Sequence, residues 1–213
     1  DNDVKKSRKE EVEYEVKPLD SVDLKSVLSS FKQGIELPVI LTCRPERQGG
    51  YYPGDESSRI EVLKTAIESG VSWVDLEVDI SASERKSLME KASGKTKIIA
   101  SYHSEEHPPP ASEIVAEVGD YSSQGDMVKI CYPVQGTEGA LRIFEAAWEL
   151  RDSEVETSIM GLGPGGDWVR IHAPLLSQGM VYTTMQVGWH LSHSGRINVS
   201  DLTTAWKLLG YSA

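Results

Sequence analysis

Short apolar, β-branched runs recur about every 25 to 35 residues along the chain, and between them the apolar positions change from strand-like to helix-like spacing. The runs occupy 12–18, 38–44, 73–80, 97–103, 127–133, 155–162 and 180–186. Helical periods fill the gaps. In 58–70 the stripe is Ile60, Leu63, Ala66 and Ile67, opened by serine and closed by glycine; in 137–151 it is Leu141, Phe144, Ala147 and Trp148. The period predicts further helices over 20–31, with Val27, Leu28 and Phe31 inward, over 114–118, and over 200–210, with Leu202, Ala205, Trp206 and Leu209 inward. His107-Pro-Pro-Pro110 reads as a rigid loop leading into the helix at 114–118.

Alternation of strand and helix at this spacing predicts an α/β fold, a (β/α)8 TIM barrel. Seven runs leave the barrel one strand short at its amino end, where 1–11 is polar and charged, so the first strand is lacking, truncated or placed ahead of Asp1. A doubly wound sheet is the competing architecture, but no GxGxxG turn follows the first run. A length of 213 residues suits one barrel domain over 1–213. The chain starts at Asp1 rather than Met and shows no charged-then-apolar leader, as expected of an N-terminally truncated or excised unit.

Composition narrows the class. Hydrophobic content of 39% and charged content of 26% are those of a globular protein, and no apolar stretch is long enough to span a bilayer; a cytoplasmic protein with no membrane partner is expected. A net charge of −11 argues against a nucleic-acid partner, since such binding relies on basic patches. Cys43 and Cys131 show no CxxC spacing and no nearby histidine pair, which points to buried reduced thiols rather than zinc or a disulfide.

The chemistry centres on Lys129, inside Asp126-Met-Val-Lys-Ile-Cys131, and His103, at the end of Lys97-Ile-Ile-Ala-Ser-Tyr-His103. A lysine on a buried strand loses hydration and must find a partner or give up its proton. A neutral amine beside a proton-shuttling imidazole is what imine chemistry on a carbonyl requires. Taken singly, Lys129 reads as a strand lysine snorkelling to solvent and His103 as a hydrogen-bonded core residue. His107 reads as an exposed loop residue. Asp75 and Glu77 are expected on opposite faces of their strand, with at most one lining the interior; Glu77 is the candidate orienter of His103.

Several segments together resemble the type I 3-dehydroquinate dehydratases, the Schiff-base class of the shikimate pathway. Thr42-Cys-Arg-Pro-Glu-Arg-Gln-Gly-Gly50 resembles the family's arginine strand and Gly-Gly loop, Trp73-Val-Asp-Leu-Glu-Val-Asp79 the next strand, and Ser101-Tyr-His103 and Val128-Lys-Ile130 the histidine and lysine segments. Met160-Gly-Leu-Gly-Pro-Gly-Gly-Asp-Trp-Val-Arg170 is similar to the loop ending in a carboxylate-binding arginine, and Ser192-His-Ser-Gly-Arg-Ile-Asn-Val-Ser-Asp-Leu202 to the closing lid loop and final helix. The resemblance implies a barrel with its site at the carboxyl ends of the strands. It implies a lyase that turns 3-dehydroquinate into 3-dehydroshikimate, with Lys129 as imine-forming nucleophile and His103 as general acid and base. Glu13, Arg44, Gln48, Arg170, Ser192 and Arg196 would then bind substrate, with neither metal nor organic cofactor. Arg44 and Arg170 alternatively read as structural partners of Glu13 or Glu77. A homodimer, or membership of a multifunctional polypeptide, is expected.

The departures bear on activity. Gln48 stands where most of the family has a carboxylate that positions the histidine; an amide can hydrogen-bond the imidazole but cannot neutralise its cation. Glu13-Tyr-Glu15 replaces the usual Glu-x-Arg, and Arg196 stands in place of a lid glutamine. Two other functions stay open on the sequence: a catalytically weakened or inactive homologue that binds a pathway metabolite, and a Schiff-base aldolase-like enzyme acting on another keto acid.

Overall fold

The structure, a computed structural model, describes residues 21–184 and 197–211. Five parallel strands pair in chain order: β1 (Ile40–Thr42), β2 (Trp73–Glu77), β3 (Lys97–His103), β4 (Met127–Pro133) and β5 (Thr157–Leu162). Helices α2 (Glu56–Glu68), α3 (Ala82–Ala92), α4 (Ala111–Tyr121) and α5 (Thr137–Leu150) make the four crossovers; α1 (Leu24–Gly34) precedes them, and α6 (Trp168–Ile171) and α7 (Val199–Leu208) follow. Because neighbours in the sheet are neighbours in sequence, the order never reverses as a doubly wound sheet must, and the strands form an arc of a barrel. Among the described residues no helix is long and apolar enough to cross a membrane.

The period of two along each strand separates the two faces. Val74, Leu76, Ile98, Val128, Ile130, Tyr132 and Ile159 are buried against Leu63 and Ile67 of α2, Leu88 of α3, Ile114 and Val118 of α4, and Ile143 of α5. Fully burying one such side chain contributes about 1.5–3 kcal/mol, so this outer layer carries the fold. The other parity carries Asp75, Glu77, Ser101, Lys129 and Ser158, all buried and nearly level with one another across β2 to β5. A barrel interior lined with charge is stable only where charges are paired; here Asp75 pairs with Lys129 and Arg44, and Glu77 with Arg59.

Helix ends follow local chemistry. Asp55 caps α2, accepting from Ser58 N at 2.8 Å, so this helix starts two residues before the expected Ser58. Helix α3, capped by Ser81, is not foreshadowed by the apolar pattern: within Ala82–Ala92 only Leu88 and Ala92, with the arginine Arg85, are buried.

Three expected stripes are corrected. On α5 the buried side chains are Ala140, Ile143, Ala146 and Ala147, while Leu141 and Trp148 are 53% and 42% exposed; the small alanines let the helix approach the sheet and leave the larger residues outside. On α1 Leu28 is buried, with Val27 and Phe31 exposed; on α7 Leu202 is buried, with Leu209 exposed. The expected strand at 180–186 is also absent over 180–184, where Thr184 makes a single bridge to Asn198. There the Gln178 side chain takes the Ile159 N–H at 2.7 Å, and Ser158 Oγ donates to Met180 O, so side chains displace the ladder. The run at 12–18 and residues 185–186 lie outside the described residues.

Candidate active site

After β1 the chain turns through Pro45–Gly50, held by Gln48 N to Pro45 O at 3.1 Å and Gly49 N to Glu46 O at 2.9 Å. Gly49 adopts φ 72°, and a Cβ on Gly50 would collide with the Arg44 carbonyl, so both glycines are required by the turn. The turn fixes Arg44 at the strand end and swings Gln48 over β3.

Asp75 is the hub. Fully buried on β2, it accepts from Arg44 Nη2 at 2.8 Å, from Lys129 Nζ at 3.1 Å and from the Ser101 hydroxyl. Burial alone raises its pKa, but Lys129, Arg44, the Ser101 hydrogen bond and His103 outweigh it and hold the carboxyl below the ordinary range. Lys129 is 5% exposed, with the Tyr182 ring 4.3 Å from its Nζ. The buried lysine has therefore found a partner. Arg44 bridges onward: its Nη1 contacts both ring nitrogens of His103, 2.9 Å from Nε2.

Lys129 and His103 stand on one face of adjacent strands. Ser101 pairs in register with Lys129 and His103 with Cys131, which puts lysine and imidazole on a diagonal of the same ladder. Both line a cavity of about 720 Å3 that also includes Arg44, Gln48, Cys131, Met160 and Tyr182. The Tyr182 hydroxyl is buried with no hydrogen-bond partner among the described residues, and burial, reinforced by Asp75, pushes its pKa up.

Other expected residues fall elsewhere. Gln48 does not bond the imidazole; its Oε1 accepts from the His103 main-chain N–H at 2.9 Å. Asp75 and Glu77 are not on opposite faces, because residues two apart on a strand share one. Asp75 is joined to the histidine through Arg44, while Glu77 pairs with Arg59 Nη1 at 2.6 Å; burial raises the Glu77 carboxyl despite that arginine. Arg170 is fully buried and does not line the cavity. Its guanidinium donates to the carbonyls of Gly161 and Gly166 at 2.9 Å, to Tyr182 O at 2.9 Å and to Asp167 at 3.0 Å, gathering the glycine-rich loop. His107 is exposed. Cys131 is buried and Cys43 half-buried, both free thiols. Glu13, Glu15, Ser192 and Arg196 lie outside the described residues. Among the described residues no cluster of three or more His, Cys, Asp or Glu is placed to hold a metal ion.

Sequence reasoning missed Asp75, Ser101 and Tyr182 as members of the site. The signal for Asp75 was available: a second acid two residues before Glu77, and so on the same face.

Comparison with known proteins agrees with this geometry. A family profile described as Type I 3-dehydroquinase matches residues 2–213. The 3-dehydroquinate dehydratase of Methanopyrus kandleri is 28% identical over 193 residues, covering 90% of this chain and 84% of that protein. A type I 3-dehydroquinate dehydratase from Clostridium difficile, solved with covalently modified comenic acid, superposes with a TM-score of 0.78 at 22% identity, over 87% of this chain and 74% of its own. The dehydroquinate dehydratase and shikimate dehydrogenase of S. pombe AroM superposes with a TM-score of 0.78 at 24% identity, over 93% of this chain and 39% of that longer one. These structural likenesses establish the TIM barrel as the fold.

Proposed function

The chain belongs to the type I 3-dehydroquinase family, and from that premise we propose that it dehydrates 3-dehydroquinate to 3-dehydroshikimate, a lyase step of the shikimate pathway, through an imine at Lys129. The observation that carries the assignment of roles is the shared face and shared cavity of Lys129 and His103. Lys129, as the free amine, adds to the ketone carbon, and loss of water leaves an iminium. The cation acidifies the adjacent C–H bond; His103 removes that proton, giving an enamine. His103 then returns it to the departing hydroxyl, which leaves as water, and a second water hydrolyses the imine to release product and lysine.

Asp75 lies 3.1 Å from the nitrogen that becomes cationic, in a buried setting where a fixed anion stabilises that charge without reorganising. Arg44 orients the imidazole and presents a guanidinium to the substrate carboxylate or hydroxyls. Gln48 holds the His103 main chain. Glu13, Ser192 and Arg196 complete the substrate contacts in this reading, and Arg170 supports it by shaping the loop above β5. The same reading takes the whole chain as one barrel domain of a cytosolic homodimer, for which exposed Leu141, Trp148 and Leu175 offer an apolar face; sedimentation velocity distinguishes dimer from monomer. It also allows for a multifunctional polypeptide like the S. pombe one, which the mass of the native product distinguishes.

Borohydride reduction in the presence of 3-dehydroquinate should add a covalent mass at Lys129 and abolish the appearance of dehydroshikimate absorbance. An unmodified Lys129 in protein shown to bind the substrate defeats the mechanism.

A further inference from the structure

The geometry points to Tyr182 as a further catalytic residue, whose hydroxyl donates a hydrogen bond to the substrate's ketone oxygen while Lys129 adds to the ketone carbon. The inference rests on the reading of Lys129 as the imine-forming amine.

Imine formation needs a donor that the other side chains do not supply. As nitrogen adds to the carbonyl, the ketone oxygen gathers negative charge and later departs as water; a donor fixed beside it stabilises that charge. The donors grouped around Asp75 are committed. The Ser101 hydroxyl and Arg44 Nη2 both go to Asp75, and Arg44 Nη1 goes to the imidazole. His103 is occupied with proton transfer at carbon and at the leaving hydroxyl, and the Cys131 thiol in the cavity wall is a weak donor.

Two tyrosine hydroxyls of the cavity lining, those of Tyr52 and Tyr182, are buried without a hydrogen-bond partner among the described residues. The Tyr52 hydroxyl lies against Gly54, in the turn before α2. The Tyr182 ring instead stands against Lys129, whose Nζ sits over it 4.3 Å from the centroid. The phenol oxygen is one ring radius and one C–O bond beyond that centroid. Its separation from Nζ therefore matches an N–C–O unit plus one hydrogen bond, which is what a donor to the ketone oxygen requires.

An unpaired buried hydroxyl destabilises the free protein, so its retention calls for a partner that arrives from outside. The main chain holds it ready. Tyr182 O accepts from Arg170 Nε at 2.9 Å, and two residues earlier Met180 O accepts from Ser158 Oγ at 2.7 Å. Arg170 thereby reaches the site by anchoring this segment. Burial, reinforced by Asp75, raises the phenol pKa, so the group stays protonated and donates at neutral pH.

The test compares wild type with Tyr182→Phe, which keeps the ring against Lys129 and removes the hydroxyl alone. Each protein is mixed rapidly with saturating 3-dehydroquinate and quenched with borohydride at increasing times, and the adduct at Lys129 is followed by mass. Its rate of formation should fall about a hundredfold or more, the scale for loss of one such donor. The Tm of the unliganded variant should equal or exceed that of wild type, because a buried unpaired hydroxyl has been removed. Opposite movements of rate and stability separate a catalytic donor from a packing residue, whose loss lowers both. Trapping at the wild-type rate overturns the inference, even with a raised KM, since the hydroxyl then binds another oxygen of the substrate. A Tm more than about 2 °C below wild type also overturns it, since the hydroxyl then has a partner inside the protein. Wild type that gives no adduct defeats the imine reading and this inference with it, whereas a wild-type adduct beside a full-rate variant defeats the inference alone.

Discussion

Replacing Asp75 by asparagine keeps the shape of the side chain and removes the charge shared by buried Lys129 and partly buried Arg44. At 3.1 Å from Lys129 and 2.8 Å from Arg44, the gross attraction in an effective dielectric of about 20 is about 5–6 kcal/mol per contact. Desolvation offsets much of this when the pairs form, but removing one partner leaves the others buried and uncompensated, at a cost of about 3–5 kcal/mol. For a chain of this size each kcal/mol shifts Tm by about 2–4 °C, so Asp75→Asn should lower it by about 6–20 °C at pH 7. The folded-state carboxyl lies below its ordinary value, so the stabilisation is present above the unfolded pKa of about 3.9 and fades as pH falls through the folded value. The gap between wild type and variant should therefore narrow in acid. Lys129→Met should cost less than Asp75→Asn, because Asp75 keeps Arg44 and Ser101. The double variant should be more stable than the sum of the singles by about 0.5–3 kcal/mol. Calorimetric scans of the four proteins check this. An Asp75→Asn Tm within about 2 °C of wild type at pH 7, or strictly additive singles, refutes the view of Asp75 as the charge hub.

Three other outcomes follow from the same geometry. Arg44→Lys replaces a planar fork that meets Asp75 and His103 together with a point charge that can meet one of them, so kcat/KM for dehydration should fall about a hundredfold while far-ultraviolet circular dichroism is unchanged. Gly50→Ala drives a methyl into the Arg44 carbonyl and should lose both activity and stability, whereas Gly34→Ala, with open space around its Cβ, should change activity by less than about twofold; initial rates separate the two. Glu56 has its carboxyl drawn down to about 2, chiefly by its hydrogen bond to Arg59 and against the opposing effect of burial, with Arg47 adding to it. Its contribution is therefore complete above the ordinary carboxyl range and lost as pH falls toward 2. The Tm of Glu56→Gln should accordingly lie below wild type at neutral pH and converge with it in acid.

The elements most legible in the sequence were those whose apolar period was cleanest. Strands β3 and β4 occupy the expected spans, since a continuous run such as Lys97–His103 is buried on both faces. Lys129 and His103 stood out for a related reason, as titratable groups inside such runs. Helix α3 was hidden because its contact with the sheet is made by two apolar residues and an arginine. The stripes of α1 and α5 were misread because an apolar arc on a helix can be wider than the surface the sheet covers, and pattern alone does not say which edge is left out. Arg170 shows what pattern leaves out for polar groups: beside the reading of an arginine after a glycine-rich loop as a ligand-binding group, its guanidinium donates to four oxygens of that loop and its neighbours.

By itself the sequence determined most of the alternation of strands and helices, the two faces of each strand and the presence of an amine and an imidazole in the interior, because these follow from local period and residue chemistry. Only the tertiary structure decided who pairs with whom. Arg44 and His103 are 59 residues apart along the chain, and Asp75 and Lys129 are 54 apart. Their meeting depends on strand register and crossover packing, which no local pattern encodes. Buried charges make that dependence acute, since in a low-dielectric interior an ångström of register separates a stabilising partner from an uncompensated ion.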